Sequence, residues 1–424
     1  MLKRNLPALV GAMLGVLVAA GALRVAAAWG FLPNRELNRS ADYVREVMKL
    51  VNENYVESAE ADYARLSREA IHGMVESLDP HSEFLEAEDF ANFEDDLDGD
   101  FTGIGIQVEL RNGRVVVIAP IAGTPGERAG ILRGDEIVSV DGHAISGTSP
   151  MDEAIKRLRG KVNTPVVVGL HRPGGNKDIE MTIVRERIEV DSVREARLVA
   201  DHIGYVHVID FSSHTGEQFL GALQQLLDQG ADALIIDLRN NPGGLLEAAV
   251  EVVEPFFRED ELVVYTQGRK PDDREELRAA MTGEPLKLPI AVLINDGTAS
   301  AAEIVTGALK DTRRAVVLGE RSFGKGSVQT LFKLRNGDGM RITTARYFTP
   351  GGVSIHGRGI EPDVALVMTP EEDNKLRLQR VRNDILAPSD FKERFGFTPI
   401  VDTQLQAAID VLKGVMLLEK RNSE

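Results

Sequence analysis

Two residues in this sequence could together carry out nucleophilic catalysis, one as the nucleophile and the other as its general base. The candidate nucleophile is Ser300. It follows the apolar run "IAVLIND" and the turn "GTA", and it opens the predicted helix "SAAEIVTGALK". In open α/β sheets, ligands bind where a strand end is followed by a helix N-terminus, because unpaired N–H groups there favour developing negative charge. A serine at this place could attack a substrate, but serine is also a common helix cap. The local sequence leaves both roles open.

The second residue, Lys325, favours the nucleophilic role of Ser300 over the role of a helix cap. It follows the predicted strand "AVVLG" and stands between Gly324 and Gly326 in "RSFGKGSVQT". Glycines on both sides let the backbone approach another element and aim the side chain inward. Lysine acts as a general base only when neutral, so burial must lower its pKa. We expect "AVVLG", Phe323 and Val328 to provide that burial, and Gln329 to orient the amine.

The loop "DLRNNPGGLLEA" could stabilise a negatively charged intermediate. It lies between the predicted strand "ADALIID" and a helix, and it exposes backbone N–H groups at Gly243 and Gly244. Ala301, directly after the serine, offers another N–H, and two converging donors are what an oxyanion hole requires. Taken alone, the loop is better interpreted as an Asn-Pro-Gly turn with a helix cap. Which glycine would donate stays open.

A second group of residues is suited to binding a peptide end. From Phe101, short β runs punctuated by glycine and one helix, "SPMDEAIKRLRG", predict a small, partly open β-barrel. Within "FTGIGI", backbone N–H groups can converge on an anion beside an exposed strand edge. Such a loop can hold a C-terminal carboxylate and pair the last peptide residues as an added strand. The candidate peptide-binding residues are Thr102, Gly103, Ile104, Gly105 and Ile106.

The remaining elements must position these groups. From about residue 200, strands such as "ALIIDL" and "IAVLI" alternate with helices and are nearly continuous apolar runs, which predicts an α/β core with a sheet buried on both faces. Residues 36–93 show helical periodicity, and the acidic stretch 86–100 is interpreted as a solvated linker. The tail from about residue 370 is helical again. Amphipathic helices at the chain ends suggest a homo-oligomer.

Composition excludes several classes of function. The formal net charge is −17 over 424 residues, with no basic stripe interleaved with aromatics, so nucleic acid is not an expected partner. There are no cysteines, which removes disulfides and cysteine nucleophiles. The histidines are scattered without metal-ligand spacing, and no nucleotide-binding glycine loop is present. We expect neither metal nor cofactor. Among the histidines only His356, beside Gly357 and Gly359, is a candidate partner for Ser300, and Lys325 is favoured over it.

The N-terminus indicates export. Lys3 and Arg4 precede an apolar run from Leu6 to Leu23, and small residues follow at 26–28. This pattern is typical of a secretion signal within residues 1–28, with the positive end in the cytoplasm. Because the run is long, cleavage and retention as a signal-anchor stay open. The expected location is the periplasm or cell envelope, with anchoring to the inner membrane if the segment is retained.

The motifs together resemble a known family. "LDPHSEF", "LIIDLRNNPGGLL", "NDGTASAAEI", "GERSFGKGSVQT" and "ARYFTPGGVSIHGRGIEPD" occur in the order seen in carboxy-terminal processing proteases, over about residues 40–370. "FTGIGIQVEL" and "PGERAGILRGDEIVSVDG" resemble a PDZ domain. The resemblance implies a crotonase- or Clp-like α/β core with an inserted PDZ domain. It also implies a serine endopeptidase that acts on flexible protein tails through a Ser/Lys dyad and an acyl-enzyme.

Carried over by position, the resemblance assigns the catalytic roles. Ser300 matches the nucleophile, Lys325 the general base and Gln329 the residue that orients the lysine, while Gly243, Gly244 and Ala301 fall at the oxyanion hole. The predicted layout is a signal at 1–28, helices at 36–96, the PDZ domain at 97–188, the protease core at 189–370 and helices at 371–424.

Three questions stay open at this point. The sequence does not show whether the PDZ domain gates the site or only tethers substrate, or whether an activating lipoprotein adaptor is needed. A non-catalytic exported PDZ scaffold is the alternative function, and the pairing of Ser300 with Lys325 argues against it. An acyl-CoA enzyme of the crotonase fold is contradicted by the export signal and the PDZ-like segment.

Overall fold

The computed structural model describes residues 34–423 except 112, 122, 147–148, 174–177 and 382–386. The predicted signal at 1–28 lies outside the described residues. Within the described part, no helix is long and apolar enough to cross a membrane. The chain divides into two compact units, Met1–Pro80 and His81–Glu424.

Two helices form the described part of the first unit. Helix α1 (Arg35–Asn54) begins at the cap Asn34, and helix α2 (Tyr63–Glu76) follows a short 3-10 turn at Ser58–Ala61. As the periodicity predicted, both helices are amphipathic. The apolar face of α1 is nevertheless exposed within the described residues, and it includes Leu37, Tyr43, Val44, Val47 and Leu50.

The acidic stretch 86–100 is not a linker, and this prediction was wrong. After the short strand β1 (Glu83–Leu85), residues Ala87–Asp98 form helix α3. Phe90 is only 1% exposed, and Glu88 and Asp89 lie in the first turn, where negative charge stabilises a helix N-terminus. The apolar residues at helical spacing outweigh the charges that suggested a loop.

The inserted domain consists of short antiparallel strands and two helices. They are β2 (Asp100–Gly103), β3 (Ile106–Arg111), β4 (Arg114–Pro120), α4 (Pro125–Arg128), β5 (Glu136–Val140), β6 (His143–Ala144), α5 (Pro150–Leu158), β7 (Pro165–His171), β8 (Ile179–Val184) and β9 (Glu186–Glu189). One sheet has the order β3-β4-β5-β7-β8 with β6 paired to β5, and β2 and β9 form a separate two-stranded sheet. Buried residues such as Ile104, Val117 and Val168 fill the interior. The described strands form no closed barrel, as expected for a partly open one.

The elements of the core follow in chain order. They are β10 (Val193–Ala200), β11 (Ile203–Val208), α6 (Thr215–Asp228), β12 (Ala233–Asp237), α7 (Leu246–Val253), β13 (Leu262–Gly268), β14 (Arg274–Arg278), β15 (Ile290–Ile294), α8 (Ala301–Asp311), β16 (Ala315–Gly319), β17 (Ser327–Lys333), β18 (Gly339–Phe348) and β19 (Val364–Ala365). The main sheet has the order β10-β11-β12-β15-β16-β19, parallel except for the antiparallel β10–β11 pair. Helices α6, α7 and α8 contribute to the hydrophobic cluster on one of its faces.

The tail is helical, as predicted, and it covers the other face of the main sheet. It forms α9 (Pro370–Val381), α10 (Pro388–Phe395) and α11 (Thr403–Ser423). Ala408, Ile409 and Leu412 of α11 are buried in the same cluster as side chains of β11, β12 and β15. Helices on both faces explain why these strands are largely apolar.

A second sheet, not predicted from the sequence, holds the segment around Lys325. Strands β17 and β18 form a long antiparallel hairpin, and β18 also pairs with β13 and β1. Both strands mix polar with apolar residues, and most of their residues are half-buried or exposed, so neither strand gives the apolar signal of the main sheet. The hairpin begins two residues after Lys325 and carries Gln329.

Candidate active site

Ser300 has the backbone of a strained turn. It precedes α8 with φ 55° and ψ −119°, and it is partly exposed between the buried Ala299 and Ala301. A capping serine normally has an extended backbone. A non-glycine residue in a sparsely populated region with positive φ costs about 1–3 kcal/mol, and such residues cluster at functional sites. The geometry therefore favours a functional role over an ordinary cap.

The glycine loop lies directly against this turn. Gly243 has φ 97°, and a Cβ there would be 2.6 Å from Ser300 Cβ and 2.9 Å from Ala301 N, so only glycine fits. The N–H of Gly243 donates to Asn241 Oδ1 at 2.9 Å. By contrast, the N–H groups of Gly244 and Ala301 donate to no acceptor among the described residues. Two unpaired donors are thus available beside the serine.

Glu303, which the sequence reasoning missed, ties the serine and lysine segments together. Its buried carboxylate accepts from the backbone N–H groups of Ser300 (2.9 Å) and Lys325 (2.8 Å) through Oε2. Oε1 accepts from Ser322 Oγ (2.5 Å) and Gly324 N (2.8 Å). Burial raises the pKa of Glu303, and the four hydrogen bonds oppose that rise. The spacing S-A-A-E, a capping-box pattern, was the signal that could have revealed it.

The glycines beside Lys325 allow a close approach, as expected. A Cβ at Gly326 would be 2.4 Å from His356 N, and one at Gly324 would be 2.9 Å from Gly359 N. Phe323, expected to bury the lysine, is instead 64% exposed. The pKa of Lys325 is lowered by burial and by the like charge of Arg341.

Tyr347 of β18 supplies part of the surroundings of Lys325 that the sequence did not reveal. Its buried hydroxyl donates to the carbonyl oxygen of Lys325 and is also hydrogen-bonded with the side chain of Ser300. The structure therefore joins Ser300 and Lys325 through Glu303 and through Tyr347. Among the described contacts, no direct hydrogen bond links their side chains.

Gln329 lies on β17 and faces other partners. Its Nε2 donates to Ser327 Oγ at 2.8 Å and to Thr343 Oγ1 at 3.4 Å. No hydrogen bond to the amine of Lys325 is among those described, so its orienting role stays a prediction. The His356 side chain is exposed and makes no described hydrogen bond to Ser300.

The predicted carboxylate loop has its carbonyl groups occupied and its N–H groups open. Thr124 Oγ1 donates to Gly105 O at 2.9 Å, and Gly126 N donates to Ile104 O at 2.7 Å. The N–H groups of Ile104 and Gly105 donate to no acceptor among the described residues. Such a pair of free backbone donors suits an anion.

This loop borders a groove of about 770 Å³. Gly103, Ile104, Gly105 and Ile106 line it, whereas Thr102 pairs with Arg187 in the β2–β9 ladder. Helix α5 contributes an apolar wall made of Met151, Ile155 and Leu158, while the protease core and α9 contribute Arg194, Glu195, His207, Ile209 and Arg380. Apolar residues beside a carboxylate cradle and several arginines suit an apolar peptide end with a free carboxylate.

No group of three or more metal-ligating side chains that could hold an ion occurs in the described part of the chain.

Comparison with known proteins gives matches to two domain families and to several proteases. A model described as peptidase family S41 matches residues 202–366, and a PDZ domain model matches residues 102–183. The chain is 38% identical over 398 residues to a carboxy-terminal-processing protease of Bartonella bacilliformis, covering 90% of each chain. It is 36% identical over 334 residues to a probable CtpA-like serine protease of Staphylococcus aureus, covering 78% of this chain and 66% of that one. A solved photosystem II D1 C-terminal processing protease aligns over 76% of this chain and 92% of its own, with 32% identity and a TM-score of 0.45.

Proposed function

The chain belongs to the carboxy-terminal-processing proteases of peptidase family S41. We propose that it is an exported, ATP-independent endopeptidase that cleaves with Ser300 and Lys325. In this proposal, cleavage follows binding of a substrate's C-terminal tail in the PDZ domain. Membership of this family makes the protein a serine peptidase, which argues against the alternative function of a non-catalytic PDZ scaffold. The observation that carries the dyad is the strained backbone of Ser300, held by the same carboxylate that holds the backbone of Lys325.

In the proposed reaction, Ser300 Oγ attacks the carbonyl carbon of the scissile peptide. Neutral Lys325 accepts the hydroxyl proton and then delivers it to the leaving amine, which leaves an acyl-enzyme. Water, deprotonated by the same lysine, attacks the ester and releases the second product. The lowered pKa of Lys325 supports this assignment, because a larger fraction of the amine is then neutral at a given pH.

The oxyanion is held by the N–H groups of Gly244 and Ala301. Gly243 is assigned no donor role, because its N–H already binds Asn241 Oδ1. Its function is to let the loop approach Ser300. Losing one such donor typically costs about 10²–10³ in kcat.

Tail recognition is assigned to the groove beside Gly103–Ile106. The free N–H groups of Ile104 and Gly105 bind the terminal carboxylate, and the tail pairs with the edge strand β3. The last side chain of the tail packs against the apolar residues of α5. Because the sequence shows no nucleotide-binding motif, we expect only unfolded or flexible tails as substrates.

The test compares wild type, Ser300→Ala and Lys325→Ala on an unfolded protein with an apolar C-terminal tail and on the same protein with a charged tail. We expect cleavage by wild type alone, faster for the apolar tail. Cleavage by Ser300→Ala at the wild-type rate would reject the dyad. Equal rates for the two tails, with the dyad intact, would reject tail recognition alone.

Export to the periplasm or cell envelope rests on the sequence of residues 1–28. N-terminal sequencing of the protein isolated from envelope fractions separates a cleaved signal from a retained anchor, and recovery in the cytoplasm alone would reject export.

A homo-oligomer through the terminal helices is supported by the exposed apolar face of α1. Val44→Asp with Leu50→Asp should reduce the mass measured by light scattering to that of a monomer, and an unchanged oligomer would reject this interface. Whether a lipoprotein adaptor activates the enzyme is tested by adding envelope lipoproteins to the purified protease.

A further inference from the structure

A buried ionic cluster joins the C-terminal helices to the protease core. Asp237, at the end of β12, is fully buried and binds Arg239 through both carboxylate oxygens (3.0 and 2.6 Å). Asp402, just before α11, also binds Arg239, at 2.9 and 2.8 Å. Buried charges of this kind are stable only when paired, so the two carboxylates require cations.

Arg380 of α9 is the second cation of this cluster. Its Nη2 donates to Asp237 Oδ2 at 3.0 Å and to Asp402 Oδ2 at 2.9 Å. Its Nε and Nη1 donate to no acceptor among the described residues, and the side chain is 23% exposed. Nη2 of the guanidinium is therefore committed to the cluster, while Nε and Nη1 are uncommitted among the described contacts.

The exposed part of Arg380 borders the same groove as the carboxylate loop. Among the other lining residues, Arg159 and Arg194 add positive charge and Glu195 adds negative charge. Burial lowers the pKa of His207, which keeps this side chain neutral near pH 7. The groove is thus cationic overall, on a chain whose formal charge is −17.

We propose that Arg380 binds a carboxylate of the substrate tail in this groove, through Nε or Nη1, the guanidinium nitrogens not committed to Asp237 and Asp402. The inference rests on the proposed tail recognition and adds a receptor outside the PDZ domain, in a helix for which the sequence analysis named no site residue. The carboxylate is either the terminal one or an Asp or Glu side chain upstream. Arginine suits both, because its guanidinium stays charged and carries several N–H donors.

The experiment measures binding of fluorescent tail peptides to the full mature chain carrying Ser300→Ala, which prevents cleavage. Three peptides with the same apolar end are compared: one with a free C-terminus and an upstream Glu, its C-terminal amide, and its Glu→Gln form. Each is measured with no further change, with Arg380→Gln and with Arg194→Gln. Arg194 is the matched control, since it lines the groove but forms no described ion pair.

We expect Arg380→Gln to reduce the preference for the parent peptide over one of its two altered forms by about tenfold. Loss of preference against the amide identifies the terminal carboxylate, and loss against the Glu→Gln form identifies the side chain. Unchanged preferences, or the same loss in Arg194→Gln, would overturn the inference. A purely structural role would weaken all three peptides equally and would overturn it as well.

Two further comparisons keep the result decisive. Should Arg380→Gln fail to fold, Arg380→Lys retains a cation beside Asp237 and Asp402 but has no second nitrogen to donate to the tail, so the preference must fall in it too. If no peptide binds the parent protein, tail recognition itself fails. If peptides bind and only the preference is unaffected, the role of Arg380 alone fails.

Discussion

The strongest prediction concerns Glu303, because one buried carboxylate holds the backbones of both proposed catalytic residues. Glu303→Ala removes the acceptor of three backbone N–H groups, those of Ser300, Gly324 and Lys325. A buried donor left without a partner costs about 1–3 kcal/mol, so the three together cost about 3–9 kcal/mol. That is comparable with the whole stability of a typical domain, about 5–15 kcal/mol.

Glu303→Gln separates the anchoring of the backbone from the charge. The amide keeps one oxygen, and its NH₂ group must face one pair of the former donors. Facing Ser322 and Gly324 is cheaper, because the Ser322 hydroxyl can rotate to accept and only one N–H loses its partner. The free energy of unfolding should then fall by about 1–3 kcal/mol, while Ser300 and Lys325 stay anchored.

The assays are thermal or denaturant unfolding and kcat/KM on an unfolded substrate. We expect Glu303→Ala to lose at least about 10²-fold in kcat/KM, because small displacements of reacting groups have effects of that size. Glu303→Gln should retain measurable activity. Thr306→Val, in the same helix with a buried hydroxyl bonded to Ala302 O at 2.8 Å, controls for general damage to α8. A folded Glu303→Ala variant with near wild-type kcat/KM would refute the reasoning.

Three further predictions follow from the same geometry. The positive charge of Arg341 lowers the pKa of Lys325, so Arg341→Met should raise that pKa. The rising limb of the pH–rate profile should then move to higher pH, and turnover at neutral pH should slow. The control Glu83→Gln removes the ion-pair partner of Arg341 at 2.7 Å but leaves the charge of Arg341, so it should not move the limb to higher pH. Ser300→Gly should be more stable to unfolding than Ser300→Ala by about 1 kcal/mol, since glycine adopts the positive φ without strain, and equal stabilities would argue against the strained turn. Gly243→Ala should abolish turnover without loss of tail-peptide binding, because its Cβ would meet Ser300 Cβ at 2.6 Å, and an active variant would contradict the close packing.

Much of the fold could be predicted from the sequence, because the signal was local. Strands β12, β15 and β16 of the main sheet are nearly continuous apolar runs, and the turn at Ser300 and the loop at Gly243 carry glycine and helix-start signals. Helix α3 was interpreted as a linker because its many acidic residues suggested a solvated loop, although its apolar residues stand at helical spacing. The β17–β18 hairpin was missed because its strands mix polar and apolar residues and contain no continuous apolar run.

The parts of the site that escaped prediction depend on contacts distant in sequence. Tyr347 reaches Lys325 only through the pairing of β17 with β18, and Arg380 reaches Asp237 only when α9 packs on the core. Neither residue stands in a pattern that indicates its partner. Local patterns predict which segments are strands, turns or helices, whereas these contacts follow from how the segments pack.

The oxyanion loop and the amine of Lys325 differ in how described contacts connect them to the tail-binding groove. This difference bears on whether the PDZ domain gates the active site or only tethers the substrate. Arg380 connects the groove to Asp237, and the chain then leads through Arg239 to the loop that contacts Ser300 at Gly243. No comparable series of described contacts leads from the groove to the amine of Lys325. A bound tail that acts through this cluster would therefore alter the oxyanion loop, and hence kcat, while leaving the pKa of the base unchanged. A tail that only tethers would alter KM alone.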